Sequence, residues 1–590
     1  MVSIGIDIGT SNTVVAKVDG QGGVAIHKFE DSDLLPSVIH VEETGGNLTV
    51  GAAARNFWAD PDANPAETFR RWKMSMANQT ILATQDWGDG PRPITPELLT
   101  TWLVEHVMKS ITGGLGGEEV DSVVVTVPHG WRREHVEKCL ATREAARAAR
   151  ASGRPLEAKV LDRTVDEPVA AAAYALHAVG DASAFTGRDL LIVDVGGGTT
   201  DLSLVRVKSP SELVVVDAIN NDVGGDYATA LLLGKHLEAV AAQTGIGTPS
   251  TAEAVLSSLE GEENGWLREA FAAAETGYLH KLSEAFRMAE GRGDLDDRVR
   301  GSWGRRVVPI SSTVGDALVT TPMSRSEYLA RLGPFFESAK EFLTRFLSRI
   351  GEPGHLPYAV LMTGGGSRIG GLRSQVIEPV IRELTTRSEA RSILERLGRL
   401  RLNESRLSTA VAMGAALVAS GRITIEERLL WDVGLEVTVP ESMAETLDLD
   451  GSRRCIASPL LARGARLPAT VGLKDLGFGT LDIEANDLFT QLIVVFDDMR
   501  SPYDQTWERS LSGSGDALKN VDVRLTADTE GMLHFTVTGN NGRRLVEVDG
   551  KLHRPRRPQA GGILLRDESE RPLAPVRTPQ QIAEARKASR

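Results

Sequence analysis

The chain is punctuated by three apolar runs, each ending in a small, Gly-rich turn. Residues 4–8 lead into Gly9-Thr10-Ser11-Asn12 and a second run at 13–18. Residues 190–195 lead into Gly196-Gly197-Gly198-Thr199-Thr200 and a second run at 201–207. Residues 359–362 lead into Thr363-Gly364-Gly365-Gly366-Ser367 and a mixed segment of helical character. Short apolar runs bounded by glycines fit buried strands, so the first two read as hairpins. Ala- and charge-rich stretches at 128–150, 169–179, 228–244, 266–289 and 326–350 predict helices. Residues 294–306, polar and with Gly301 and Gly304, predict an exposed loop. Strands alternating with helices predict an α/β fold. The hairpins resemble each other: Asp7-Ile8-Gly9 and Asp194-Val195-Gly196 place an aspartate identically before the turn, 187 residues apart. A repeat at that distance points to a duplicated domain.

Past residue 421 the pattern shortens to β-like runs at 433–439, 480–485, 491–496, 521–526 and 533–538. Val521-Asp522-Val523-Arg524-Leu525 alternates apolar and polar side chains, as a half-buried strand does. These runs predict a separate antiparallel β-domain over 434–550. Leu429-Leu430-Trp431-Asp432-Val433 is apolar for a linker and gains by docking against another surface. Residues 551–590 hold five prolines and ten Lys or Arg against four acids. That composition predicts a disordered tail, read as a solubilising end with nucleic-acid contact as the alternative.

The chain has 590 residues, enough for several domains, with an ordinary 41% apolar and 25% charged composition. Its net charge of −14 argues against a general binder of nucleic-acid backbones. Cys139 and Cys455 are too few for a disulfide framework or a four-cysteine zinc site. No apolar run is long enough to predict a membrane span, and no secretory signal is read at the N-terminus, so the expectation is a cytoplasmic protein.

A turn rich in Gly, Ser and Thr aims several N–H groups at one anion, and two such turns facing each other could clamp a polyphosphate. An aspartate beside phosphate is repulsive unless a cation lies between, so Asp7 and Asp194 imply Mg²⁺ held through water. The third turn leaves room for a flat group such as adenosine. The bland alternative is three ordinary turns with capping aspartates. No GxxxxGK[ST], GxGxxG after a strand, HExxH, CxxC or GxSxG is present.

Gly5-Ile6-Asp7-Ile8-Gly9-Thr10-Ser11-Asn12 and Leu191-Ile192-Val193-Asp194-Val195-Gly196-Gly197-Gly198-Thr199-Thr200-Asp201 resemble the two phosphate motifs of the 70-kDa heat-shock (DnaK-type) chaperones, members of the actin-like ATPase superfamily. Residues 360–369 resemble the adenosine motif, and 165–172 and 408–416 the connecting helices. Asn64-Pro65 followed by Lys73, and Leu430-Trp431-Asp432-Val433, extend the likeness over about residues 1–550. The resemblance implies a duplicated actin-like ATPase domain (1–421), an apolar linker (422–433), a β-sandwich that binds client polypeptide (434–550) and a basic tail (551–590). It implies ATP/ADP, Mg²⁺ and K⁺ as cofactors, and unfolded polypeptide, a J-domain co-chaperone and a nucleotide exchange factor as partners. A nucleotide-switched adaptor holding one folded partner is the alternative.

At matching positions the resemblance gives Asp7, Asp194 and Asp201 to the cations. Gly9, Thr10, Ser11, Asn12, Gly196, Gly197, Gly198 and Thr199 fall to the phosphates. Lys73 and Glu167 fall to the attacking water, with Asp194, Thr199 and Asp201 beside them. Gly224, Gly225, Glu284, Arg287, Gly364, Gly365, Gly366 and Arg368 surround the nucleoside. From the residues alone, Lys73 after Arg70 and Arg71 reads as an exposed basic helix face, and Glu167 before Pro168 as a helix-start carboxylate. Arg163 and Asp432 match co-chaperone and interdomain positions. Departures are His129-Gly130-Trp131 after Pro128, where the family has a small-aromatic-aromatic run; Val136 for an arginine; Asp166 and Val169 for Asn and Thr; Ser408 for Asp; and a short tail in place of a helical lid.

Overall fold

The computed structural model describes residues 1–429 apart from 43–46, 61–63, 65–66, 87–89, 115–118, 135, 180, 260–264, 292–306, 351–355 and 400–405. Beyond 429 it describes 432–438, 446–447, 455–462, 464–472, 488–496, 502–510, 522–529, 531, 533–538, 544–548, 581 and 584–585. The loop at 294–306, the strand at 480–485, Leu430 and Trp431 therefore lie outside the described residues, as does nearly all of the tail. The chain divides into two compact units: residues 1–131 with 138–425, and residues 132–137 with 426–590.

The first unit is mixed α/β and built on two sheets with one plan. In the first, strand Val2–Ile8 runs antiparallel to Asn12–Val18 and parallel to Val120–Val127. In the second, strand Asp189–Val195 runs antiparallel to Thr200–Ser209 and parallel to Ala359–Thr363. Asp7 stands opposite Val14, and Asp194 opposite Asp201. The central strands are buried on both faces, which is why they read as nearly continuous apolar runs rather than as alternations. Two large apolar cores form, one around Ile4, Ile6, Leu103 and Val125, the other around Leu191, Val193, Phe335 and Val360.

Helices Glu167–Ala178 and Ala410–Ala419 cross at small residues. A Cβ on Gly414 would lie 1.6 Å from the Ala170 carbonyl oxygen, and one on Gly5 would lie 2.3 Å from the Ala416 nitrogen. Only glycine allows main chain to approach this closely. The segment expected as one helix at 266–289 is instead Gly265–Ala274, a π-helical stretch Glu275–Lys281 and Leu282–Gly291. The wider stretch shifts the register of the residues after it, which periodicity alone does not register.

Among the described residues, the second unit holds two four-stranded antiparallel sheets. One joins Cys455–Leu461, Asp432–Thr438, Leu488–Phe496 and Pro502–Ser510. The other joins Ala469–Gly472, Asp522–Ala527, Leu533–Thr538 and Arg544–Val548. Leu429 exchanges backbone hydrogen bonds with Gly464 and Ala465, and Leu467 donates to Glu427, so 427–429 is tied to the neighbouring loop of its own unit.

Candidate functional site

The two hairpin turns face each other across a cavity of about 470 Å³ in the first unit. A Cβ on Gly197 would lie 2.3 Å from Ser11 Oγ, and one on Gly198 2.8 Å from Thr10 Oγ1. The glycines thus set the spacing between the turns. Gly196 closes its own turn by donating to the Thr199 carbonyl at 2.8 Å. Gly225 and Asp226 donate their N–H groups to the Gly196 and Gly197 carbonyls at 2.9 and 2.8 Å, and so buttress the second turn from behind. Asn12 and Gly9 line the same cavity.

The third turn closes another wall. Gly364 adopts φ +82°, and a side chain there would strike Asp194 Oδ1 at 2.2 Å. Gly365, Gly366 and Arg368 line the cavity beside it, facing Glu284 and Arg287. Two residues expected at the site stand behind its surface: Asp201 is fully buried, accepting from Thr199 Oγ1 at 2.9 Å, and Gly224 packs on the backbone of Gly197 to Thr199. Neither is among the lining residues.

Lys73 is not on an exposed helix face. It lies in a single 3-10 turn, Trp72–Ser75, is 5% exposed, and donates from Nζ to Glu167 Oε1 at 2.5 Å. Glu167 is the first residue of its helix, as expected, but turns its carboxylate into the cavity. Asp7 accepts from Thr126 Oγ1 at 2.9 Å. Burial, with Glu167 nearby, pushes the Asp7 carboxyl up to about 7 against Lys73 and the Thr126 hydroxyl. Burial and Glu167 likewise push Asp201 up to about 7, opposed by Thr199, His129 and Lys73. Asp194 is held well above the ordinary carboxylate range by burial, Glu167, Asp201 and Asp7. Asp7, Glu167 and Asp194 therefore crowd the cavity near Lys73, with Asp201 buried behind them. Such a set takes up protons or recruits a cation. Among the described residues no three His, Cys, Asp or Glu side chains converge as direct ligands of one metal ion.

Asp226 and Glu275 were not legible as site residues, yet both line the cavity. Ser11 Oγ donates to Asp226 Oδ1 at 3.3 Å, and Arg71 Nε lies 3.1 Å from Asp226 Oδ2. Arg70 reaches Asp226 at 3.5 Å and Glu275 at 3.3 Å, with its guanidinium 4.7 Å from the Trp58 ring and 5.6 Å from Phe271. Burial raises the Glu275 carboxyl, but Arg70 and Arg55 outweigh it and hold the group below its ordinary value. The sequence signal for Asp226 was its place directly after Gly224-Gly225; Glu275 had none. Arg163, outside the cavity, donates to the Ile425 carbonyl at 2.9 Å.

Residues 3–262 match the family model described as Hsp70 protein. The chain is 30% identical over 245 residues to the chaperone protein DnaK of Thermotoga neapolitana, covering 41% of this chain and 37% of that protein. It is 28% identical over 224 residues to the chaperone protein DnaK of Mycoplasma mycoides subsp. mycoides SC, covering 38% of this chain and 33% of that protein. The matched stretch thus spans about a third of the length of these curated relatives, and both Gly-rich hairpins, Lys73 and Glu167 lie within the residues that the family model matches. The likeness to the Hsp70 family thus rests on residues 3–262, under half of the chain.

Proposed function

We propose that this chain is an ATP-driven chaperone, in which an actin-like ATPase domain (1–421), linked through 422–433, controls how a β-sandwich (434–550) holds and releases extended polypeptide. The observation that carries this reading is the cavity between two glycine turns, with Lys73 and Glu167 paired at 2.5 Å beside buried Asp7 and Asp194. The residues fit ATP with Mg²⁺: the glycines leave room for phosphates against main-chain N–H groups, and the crowd of acids calls for positive charge. Mg²⁺, held through water near Asp7, Asp194 and Asp201, would neutralise charge that develops on the phosphates. Thr10, Ser11, Gly196 to Gly198 and Thr199 would cradle the phosphates. Lys73, fixed by Glu167, would orient the attacking water, and phosphoryl transfer asks mainly for such positioning. Glu284, Arg287, Gly364 to Gly366 and Arg368 would surround the nucleoside, and the π-helical stretch adds Leu279 and His280, and the helix after it Ser283, to that wall.

In the second unit, the antiparallel strands would hold an extended peptide by main-chain hydrogen bonds and side-chain pockets. A J-domain co-chaperone, an exchange factor and a cytoplasmic location belong to the same proposal. ATP can drive release only if it binds the low-affinity state better; a tenfold preference is about 1.4 kcal/mol. The test is release of a labelled unfolded peptide from the full chain. ATP should speed release about tenfold or more over ADP. Equal release with both nucleotides would overturn the coupling.

A further inference from the structure

Two departures from the family pattern, 37 residues apart, meet in the fold. His129 follows Pro128 at the end of the strand Val120–Val127, and Asp166 ends the short strand Val165–Asp166. Val127 and Asp166 are register partners, which brings the two side chains together. His129 Nδ1 is hydrogen-bonded to Asp166 Oδ2, and both residues are fully buried. A carboxylate on Nδ1 places the proton there and fixes the ring. The small residue and the Asn usual in the family cannot make this pair.

The pair sits among the acids of the site. Thr126, which holds Asp7, lies just before Pro128, and Glu167 directly follows Asp166. A Cβ on Gly130 would lie 1.8 Å from Asn220 Oδ1, and Asn220 is the register partner of Asp201. Segment 128–131 is therefore pressed against Asn220 on the strand Glu212–Asn221, which pairs with the strand end that carries Asp201. Two buried polar atoms there have no hydrogen-bond partner: His129 Nε2 and Asp201 Oδ1. No lining residue of the cavity belongs to this pair, so it acts on the site from behind.

We propose that His129, held by Asp166, is a positioning residue for hydrolysis that fixes the strand end bearing Asp201 without touching nucleotide. This rests on the ATPase reading above. Its test compares the full-length parent with H129N and D166N in single-turnover hydrolysis, ADP affinity and thermal melting. In H129N the amide nitrogen takes the place of Nδ1 and keeps the hydrogen bond to Asp166, while the Nε2 edge is lost. D166N keeps an acceptor for Nδ1–H but loses the charge. Each variant should hydrolyse ATP about tenfold or more slowly, with ADP affinity within about twofold and a melting point near the parent's. The double variant should be no slower than H129N. Parent-like hydrolysis in both single variants, or a loss of ADP affinity equal to the loss of rate, would overturn the role. A parent that binds ATP without hydrolysing it would overturn the ATPase reading, and this role with it.

Discussion

Gly414→Ala adds one methyl group where the helices Glu167–Ala178 and Ala410–Ala419 cross. The new carbon would lie 1.6 Å from the Ala170 carbonyl oxygen and 2.4 Å from its carbonyl carbon. Ordinary contact begins near 3.5 Å, so the helices must part by roughly 1.5–2 Å. Nothing local can yield, because the obstacle is main chain and both helices are largely buried. Overpacking a core costs about 1–3 kcal/mol, and moving a whole helix puts this case at the upper end. The displaced helix begins at Glu167, so the 2.5 Å bond from Lys73 is strained as well. The assay is urea unfolding of the full chain, following the transition that ADP shifts, with ATP turnover measured in parallel. Gly234→Ala is the control. In the helix Gly225–Thr244 its Cβ would meet only the tip of the Arg331 side chain, at 3.0 Å. That change should be neutral or stabilising by up to about 1 kcal/mol through helix propensity. Should Gly414→Ala unfold at the parent's midpoint, or should both variants shift alike, the close crossing is not what holds Glu167 in place.

Lys73→Met removes the cation nearest Glu167 while keeping most of the volume. Single-turnover hydrolysis should fall by about a hundredfold or more with ADP affinity little changed; an unchanged rate would show that Lys73 does not orient the water. His236 is buried, with its ring nitrogens 3.0 Å from Thr321 Oγ1 and 2.7 Å from Ser312 Oγ, and burial lowers its pKa from 6.5 to about 4. Below pH 6.5 the unfolded chain takes up a proton that the folded ring refuses. This part of the stability is therefore complete above about pH 6.5 and is lost as pH falls toward 4, by about 3 kcal/mol in all. Melting curves between pH 4 and 7.5 should show that loss in the parent and not in His236→Gln; parallel curves would refute it.

The α/β character and the two hairpins were legible because their signals are local. An aspartate, a Gly-rich turn and two apolar runs sit within fifteen residues in the first hairpin and eighteen in the second, and buried strands announce themselves by continuous hydrophobicity. Lys73 and Glu167 were harder. They are 94 residues apart, and each side chain alone fits a surface helix. The resemblance, not the residue pattern, brought them into the site. Asp226 and Glu275 are chosen by tertiary contact with Ser11, Arg70 and Arg55, which no short window contains. The π-helical stretch escaped for a related reason: it adds one residue to a turn without altering the amphipathic pattern on either side. His129 and Asp166 were visible as oddities, but only the parallel register of their strands shows that they answer each other.

The contacts gathered on Arg70, next to the cavity-lining Asp226 and Glu275, have a mechanical consequence. One guanidinium is bracketed by the rings of Trp58 and Phe271, which meet edge to face at 6.2 Å, and is pinned by two acids from elements distant in sequence. Because one side chain carries all of these contacts, displacing Arg70 by a couple of ångströms weakens its ring contacts and both ion pairs together rather than one after another.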